Sequence, residues 1–293
     1  MSRQPDPFVV HRGLLFTVAY EMLGSAADAE DVVQETWLRW ADVDAGLRAT
    51  VGDPRAYLVR IVTRLALNRL RTLARRREEY VGSWLPEPLL TSPDVAEDVE
   101  LAESVSVALL TVLETLKPVE RAVFVLREVF ATPYEEIARA LGKTPVSVRQ
   151  TAKRAREHVA ARRPRMRVDR AEQRLVVERF LAAMGNGDLR ALMDVLAPDV
   201  VVVADGGGVV PTTRHPVVGA QEAATYLIAA VQWAGERFST GTVWVNGAPA
   251  ARIEVDVTTV LSFAVEGGRI SRIYAVRNPE KLAWLDAEVV LER

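Results

Sequence analysis

Between Arg55 and Arg77 the chain carries eight arginines and no acidic residue, yet the segment is not a basic tail. Leu58, Val62, Leu65, Ala66, Leu70 and Leu73 cluster on one half of a wheel drawn at about 100° per residue. Arg60, Arg64, Arg71 and Arg75 fall within roughly 60° of one another on the other half. The spacing predicts a long amphipathic helix over Pro54–Arg77, one face buried and the other lined with guanidinium groups. Like charges one turn apart repel by a few tenths of a kcal/mol per pair. A stripe with no acid interleaved therefore predicts an anionic partner, and a phosphate backbone fits best.

This block is one of four that alternate in sign. Glu21–Asp44 has seven acids against Arg39 alone, Glu78–Glu103 has eight acids and no base, and Lys143–Arg167 has nine bases against Glu157. The net charge of −2 hides this pattern, and it also hides a front portion, residues 1–167, that is net +2 and a remainder that is net −4. The length of 293 residues predicts two compact bodies, or three if some are small. With no cysteine, disulfides, thiolate zinc sites, iron–sulfur clusters and cysteine nucleophiles are excluded. His11, His158 and His215 are too scattered for a metal motif, so no metal and no cofactor is expected. No apolar run reaches the roughly 18 residues of a membrane span, and no cleavable leader is recognisable. The expectation is a soluble cytoplasmic chain.

Upstream of the arginine stripe, Ala26–Trp40 reads as a helix with Ala29, Val33, Trp37 and Trp40 on one side and Asp28, Asp31 and Glu35 on another. Downstream, residues 78–100 contain three prolines and little periodicity, as a linker would. Yet this stretch holds Trp84-Leu85-Pro86-Glu87-Pro88-Leu89-Leu90, too apolar for a free tether, and docking onto a neighbouring domain is expected. Thr132-Pro133-Tyr134-Glu135 has capping-box spacing and predicts a short helix to Leu141, a turn at Gly142, and a second helix capped at Thr144-Pro145. Ala138, Gly142 and Val148 are spaced as the small, turn and buried positions of a helix-turn-helix. On the second helix Val148, Ala152, Ala155 and Val159 form a buried stripe that leaves Ser147, Arg149, Gln150, Lys153, Arg154 and Arg156 outward, residue types suited to base edges and phosphates.

Three strings together, Asp31-Val32-Val33-Gln34-Glu35-Thr36-Trp37, Pro54–Asn68 and Ser147–His158, resemble the extracytoplasmic-function (ECF) sigma factors over about residues 8–163. The resemblance implies two all-α domains: sigma-70 region 2 at residues 1–80 and a region 4 helix-turn-helix at 104–164, joined by an acidic, proline-bearing linker at 81–103. It implies that Asp31, Val32, Gln34, Glu35 and Leu38 help seat the chain on a coiled coil of the RNA polymerase β′ subunit. Arg60, Arg64, Asn68, Arg71 and Arg75 would engage and open the −10 promoter element. Thr144, Ser147, Arg149, Gln150, Lys153, Arg154 and Arg156 would meet the −35 element.

A second boundary is expected near Arg162–Arg170, where a basic tail precedes a new pattern. Beyond it, Arg170–Met184 and Asp188–Leu196 read as helices, Ala220–Ala234 as another, and Val200–Ala204, Gly241–Asn246, Ala251–Leu261 and Arg269–Val276 as strands. Helices followed by a curved antiparallel sheet give an α+β domain over 168–293, and the order resembles the SnoaL-like, NTF2-like cone. Asp205, Asp256, His215, Tyr226 and Tyr274 are the candidates for carbonyl chemistry in such a cone, but no convergence follows from sequence, and a non-enzyme is expected.

Trp84-Leu85-Pro86-Glu87-Pro88, Asp205-Gly206-Gly207-Gly208 and Asn278-Pro279-Glu280-Lys281-Leu282, in that order, resemble the signatures of the SigJ-type group, sigma factors with a fused SnoaL-like extension. That resemblance implies regulation in cis by the extension, with no separate anti-sigma factor. The expected contact puts Asp205–Gly208 against the first sigma domain, with Trp84–Leu90 at the same junction. Two other readings stay open: a ligand-responsive DNA-binding regulator acting without polymerase, and a bifunctional protein with an isomerase- or cyclase-like extension.

Overall fold

The computed structural model describes residues 5–162 and 170–293, without the side chains of 45, 49 and 74–78. The expected boundary at Arg162–Arg170 falls largely outside the described residues. In chain order the first half holds α1 (Pro7–Leu23), α2 (Ala26–Ala41), α3 (Ala45–Ala49), α4 (Pro54–Glu78), α5 (Val99–Ser104), α6 (Val107–Leu113), α7 (Pro118–Phe124), α8 (Tyr134–Leu141) and α9 (Pro145–Arg162). The second half holds α10 (Arg170–Gly185), α11 (Leu189–Val195), β1 (Leu196–Asp205), β2 (Val217–Val218) and α12 (Ala220–Ala234). β3 (Ser239–Val245), β4 (Ala248–Glu254), β5 (Thr259–Glu266) and β6 (Arg269–Val276) follow. Two compact units form: one from the residues up to Glu78 with Val112–Arg162 and Val290–Arg293, the other from Glu79–Thr111 with the cone up to Val289.

In the helical unit α1 is central. Asp6 caps it by accepting the Phe8 amide at 2.8 Å, Pro7 occupies the first turn, and Gly24 ends it at φ 69°. From Leu14 to Leu23 it is buried all round, which is why α2 and α4 both pack against it. α4 buries the apolar stripe read from sequence, Leu58, Val62, Leu65, Ala66, Leu70 and Leu73. Arg121 on α7 is buried too: its Nε donates to the Glu21 carbonyl at 3.0 Å and its guanidinium pairs with Glu114 at 2.7 Å. A buried cation held by a carboxylate and a backbone oxygen fixes α7 against the end of α1.

The helix-turn-helix differs from expectation at its entrance. No side chain caps α8, whose N-cap is Pro133. A π-helical turn, Val125–Val129, precedes it. Thr132 belongs to the exit from that turn, its amide donating to the Leu126 carbonyl at 2.9 Å and its own carbonyl accepting from Arg127 at 3.1 Å. Glu135 turns instead to Arg149 at 2.9 Å. The second cap forms as read, Thr144 Oγ1 accepting the Ser147 amide at 3.2 Å.

In the second unit one six-stranded sheet runs β2-β1-β6-β5-β4-β3, with β1 and β6 parallel and the other neighbours antiparallel. Alternation along each strand gives it two apolar faces. Val202 and Ala204, Phe263, Ile273 and Ala275 face a core closed by α10, α11 and α12, where Phe180 meets Phe263 edge-on at 5.0 Å. Ala264, Tyr274 and Val276 lie in a second cluster with Leu85, Val107 and Ala108 from the preceding segment. Residues 79–111 are thus part of this unit. The run Ala251–Leu261, expected as one strand, is two, because the chain turns at 255–258. Glu254 holds that turn through Arg252 Nε at 2.6 Å and Thr258 Oγ1 at 2.7 Å. Burial opposes its charge, but these two donors outweigh it and leave its carboxyl below the usual range.

Candidate functional site

On α2, Asp31, Gln34, Glu35 and Leu38 stand exposed, Leu38 at 60%. Val32 does not join them: at 4% exposure it packs in the helical core, so its role in this face is to hold the helix down. Asp31 is also within 3.4 Å of Arg69, whose Nε donates to Asp28 at 2.6 Å, so α4 positions the carboxylate face of α2. Arg69 lies off the arginine stripe, so the periodicity of α4 does not mark it. Glu35 is bridged to Arg39 one turn on at 2.7 Å.

Arg60, Arg64, Arg69 and Arg71 of α4 are engaged within the helical unit. Arg64 donates from Nε to the Ala140 carbonyl at 2.8 Å and from Nη2 to the Arg139 carbonyl at 3.1 Å, capping the C-terminal end of α8. Arg60 lies over the Tyr57 ring at 5.1 Å, and Arg71 reaches Asn68 Oδ1 at 3.3 Å. A cleft of about 250 Å³ beside them is lined by Asp53, Tyr57, Arg60, Glu136 and Arg139. The Arg75 side chain lies outside the described residues.

α9 sorts as its sequence predicts. Val148, Ala152, Ala155 and Val159 are buried, with Thr151 beside them. Thr144, Arg149, Gln150, Lys153, Arg154 and Arg156 are exposed, and Ser147 is half-buried. Their acidic partners, Glu135 for Arg149, Glu157 for Lys153 and Glu128 for Arg156, stand at 2.9, 3.9 and 3.4 Å.

The third constellation lies wholly in the second unit. Asp205, fully buried, accepts the Tyr80 hydroxyl at 2.6 Å and the Leu85 amide at 2.8 Å, and its carboxylate pairs with Lys281 Nζ at 2.8 Å. Lys281, 3% exposed, also donates to the Leu85 carbonyl at 2.6 Å and lies over the Trp84 ring at 3.3 Å. Asn278 completes the group by donating to the Tyr80 oxygen at 3.0 Å. Burial first, and then the Asp205 hydrogen bond, push the Tyr80 hydroxyl well above the ordinary tyrosine range. The glycines are required by space: a Cβ at Gly206 would strike the Val210 carbonyl and one at Gly207 the Asn278 amide, and Gly207 and Gly208 have φ of 63° and 73°. Pro86, Glu87 and Pro88 are buried, and Leu89 is tied at its amide and carbonyl to Asn246, each at 3.0 Å.

Asp205 meets Tyr80, the last residue of the expected region 2 at 1–80, together with Leu85 of the linker and Lys281; Tyr80 groups with the second unit, so these contacts are internal to that unit. Tyr80 and Asn246 belong to this group although no motif in the sequence marks them for it. The Asn246-Gly247 dipeptide is a hairpin signal that could have placed Asn246 in a turn. The five candidate catalytic residues do not converge: Asp205 is in this clamp, Tyr274 is on the linker-facing side of the sheet, Asp256 pairs with Arg237, His215 is exposed, and Tyr226 packs beside the cone core. Among the described residues no cluster has the makings of a metal site, and no helix is long and apolar enough to cross a membrane.

Residues 8–76 match the family Sigma-70 region 2, and residues 106–159 match Sigma-70, region 4. The ECF RNA polymerase sigma factor SigJ of Mycobacterium tuberculosis is 36% identical over 293 residues, 94% of this chain and 91% of that protein. The chain belongs to the ECF sigma factors. A probable ECF sigma factor, SigI, of the same species is 35% identical over 95% of this chain and 94% of its own length. The crystal structure of Mycobacterium tuberculosis SigJ superposes with a TM-score of 0.76 at 35% identity, covering 94% of this chain and 96% of that one. In this sigma factor, region 2 therefore comprises α1 to α4, region 4 centres on α7 to α9, and an α+β domain with a curved sheet follows, with the linker clamp built into it.

Proposed function

We propose that this sigma factor directs RNA polymerase to promoters through three faces. The carboxylate face of α2, Asp31, Gln34, Glu35 and Leu38, seats on the β′ coiled coil. The α4 face, Arg60, Arg64, Asn68, Arg71 and Arg75, engages and opens the −10 element. The outer face of α9, Thr144 to Arg156, reads the −35 element. The observation that supports this reading is the sorting of each helix into a buried apolar stripe and an exposed charged face. The work is binding and DNA melting, carried out in the cytoplasm with the polymerase.

The same reading makes the α+β domain a regulator in cis. Trp84 to Pro88, held by Asp205 and Lys281 with Asn278 fixing Tyr80 beside them, sets the course of the linker between regions 2 and 4, so no separate anti-sigma factor is needed. Reconstituted run-off transcription with the full chain tests this. Expected is polymerase-dependent initiation that Asp31→Ala with Glu35→Ala abolishes at the assembly step, and that weakens steeply with salt as several phosphates are neutralised together. Operator footprints formed without polymerase, or unchanged initiation in the double variant, would overturn it. Opening the clamp with Asp205→Ala should change promoter output without loss of core binding.

A further inference from the structure

Val290–Arg293 clusters with the helical unit, although no motif announces it. Leu291 is only 6% exposed. The Glu292 amide donates to Thr17 Oγ1 at 3.0 Å, and the buried Thr17 hydroxyl in turn donates to the Gly13 carbonyl at 2.9 Å. The Glu292 side chain lies across Gly13, where a Cβ would come within 2.6 Å of its Cδ. Glycine inside a helix costs roughly 0.5–1 kcal/mol against alanine. Gly13 stands mid-helix in α1 with the Glu292 carboxyl over it, the end of a flexible side chain that a Cβ would push aside. Thr17 is the firmer observation: its oxygen is out of reach of water and accepts from the docked backbone, a bond that is costly to leave unmade.

We propose that Gly13 and Thr17 form a peptide-docking notch on region 2 and that Val290–Arg293 occupies it in cis. Leu291 is the anchor, the Glu292 amide is the hydrogen-bond donor, and bare Gly13 lets the Glu292 side chain lie along α1. The notch recognises a short segment by backbone and by an apolar side chain, so it lies apart from the carboxylate face of α2 and the basic faces of α4 and α9. Polymerase and promoter binding can fail without touching this inference.

The chain lacks cysteine, so single thiols can be placed at will. Val9 and Val290 are 63% and 70% exposed, so labels there leave Gly13, Thr17 and Leu291 in place. Spin labels on Val9→Cys and Val290→Cys in the full chain should give one narrow distance population by pulsed electron resonance. Leu291→Asp, which leaves α1 untouched, should abolish that population, as should Gly13→Leu. A broad distribution in the parent chain, or a narrow one that survives Leu291→Asp, would overturn the proposal. So would a short distance that vanishes on dilution with unlabelled chain, since the occupant would then be a second copy.

Discussion

Lys281 and Arg64 both give hydrogen bonds to backbone carbonyls, in opposite circumstances. Lys281 is 3% exposed, its ammonium enclosed by Asp205, the Leu85 carbonyl and the Trp84 ring. Arg64 is exposed, and its partners are the last carbonyls of α8, which water could satisfy equally well. Removing one member of a buried ion pair strands the other in a dry site, whereas an exposed contact is released at small cost. The difference separates a fixture from a switch. The linker clamp is part of the second unit's fold, while the hold of α4 on α8 can be exchanged for another partner of the same chemistry, such as a phosphate.

The largest test of that contrast is Asp205→Ala. It should destabilise the second unit by about 3–5 kcal/mol, because Lys281 is left buried without its carboxylate. Denaturant unfolding measures the loss, and limited proteolysis should cut between Tyr80 and Asp98. A loss below about 1 kcal/mol would make the clamp as releasable as Arg64 and erase the distinction.

Alkali probes the same layer more gently. Burial raises the Tyr274 hydroxyl to about 12, from an unfolded value of 10.0. A folded value above the unfolded one means the neutral phenol is favoured by the fold. Its contribution is complete below pH 10.0 and is lost as the pH climbs from there towards 12. Tyr274 should contribute a fall of roughly 2 kcal/mol across that window, added to the loss from Tyr80 in the same unit, and Tyr274→Phe should remove its own share of the slope.

Where periodicity carries the information, the sequence is a sufficient guide: the stripes of α4 and α9 are buried residue for residue as the wheel places them. Helix ends are less legible, since Thr132 has the spacing of a cap but its amide is claimed by Leu126 across a π-helical turn. The break between β4 and β5 is hidden because apolar residues run on through the turn at Val255. For the clamp, the strings around Trp84, Asp205 and Asn278 are visible, but not that they serve one another. Tyr80 and Asp205 are 125 residues apart, and nothing local encodes their pairing. Val290–Arg293 is too short for any periodic signal.

Smaller effects belong to the exposed contacts of the helical unit. Arg64→Ala should cost that unit no more than about 1 kcal/mol while lengthening the distance between labels on α4 and α8. Arg64→Lys cannot rescue the paired geometry, since an ammonium lacks the planar fork that meets two carbonyls at once. An Arg64→Ala loss of several kcal/mol would mean that α4 and α8 form a fixture too.

The smallest effect is expected at Glu135. Its ion pair with Arg149 spans 2.9 Å, with the two side chains 59% and 52% exposed, so Glu135→Gln should leave stability nearly unchanged. Its consequence lies in binding. Arg149 is held towards Glu135 and over the Tyr134 ring at 5.5 Å, and a guanidinium reaching for a base edge or a phosphate has to leave the carboxylate. Neutralising Glu135 removes that competitor and also a negative charge beside the face of α9 proposed to read the −35 element. Promoter affinity of the holoenzyme should rise a few-fold at low salt, with the gain shrinking as salt screens the lost repulsion. Weaker binding instead would show that Glu135 orients Arg149 for the contact and does not restrain it, making this exposed pair a positioning device and narrowing the class of switches to Arg64.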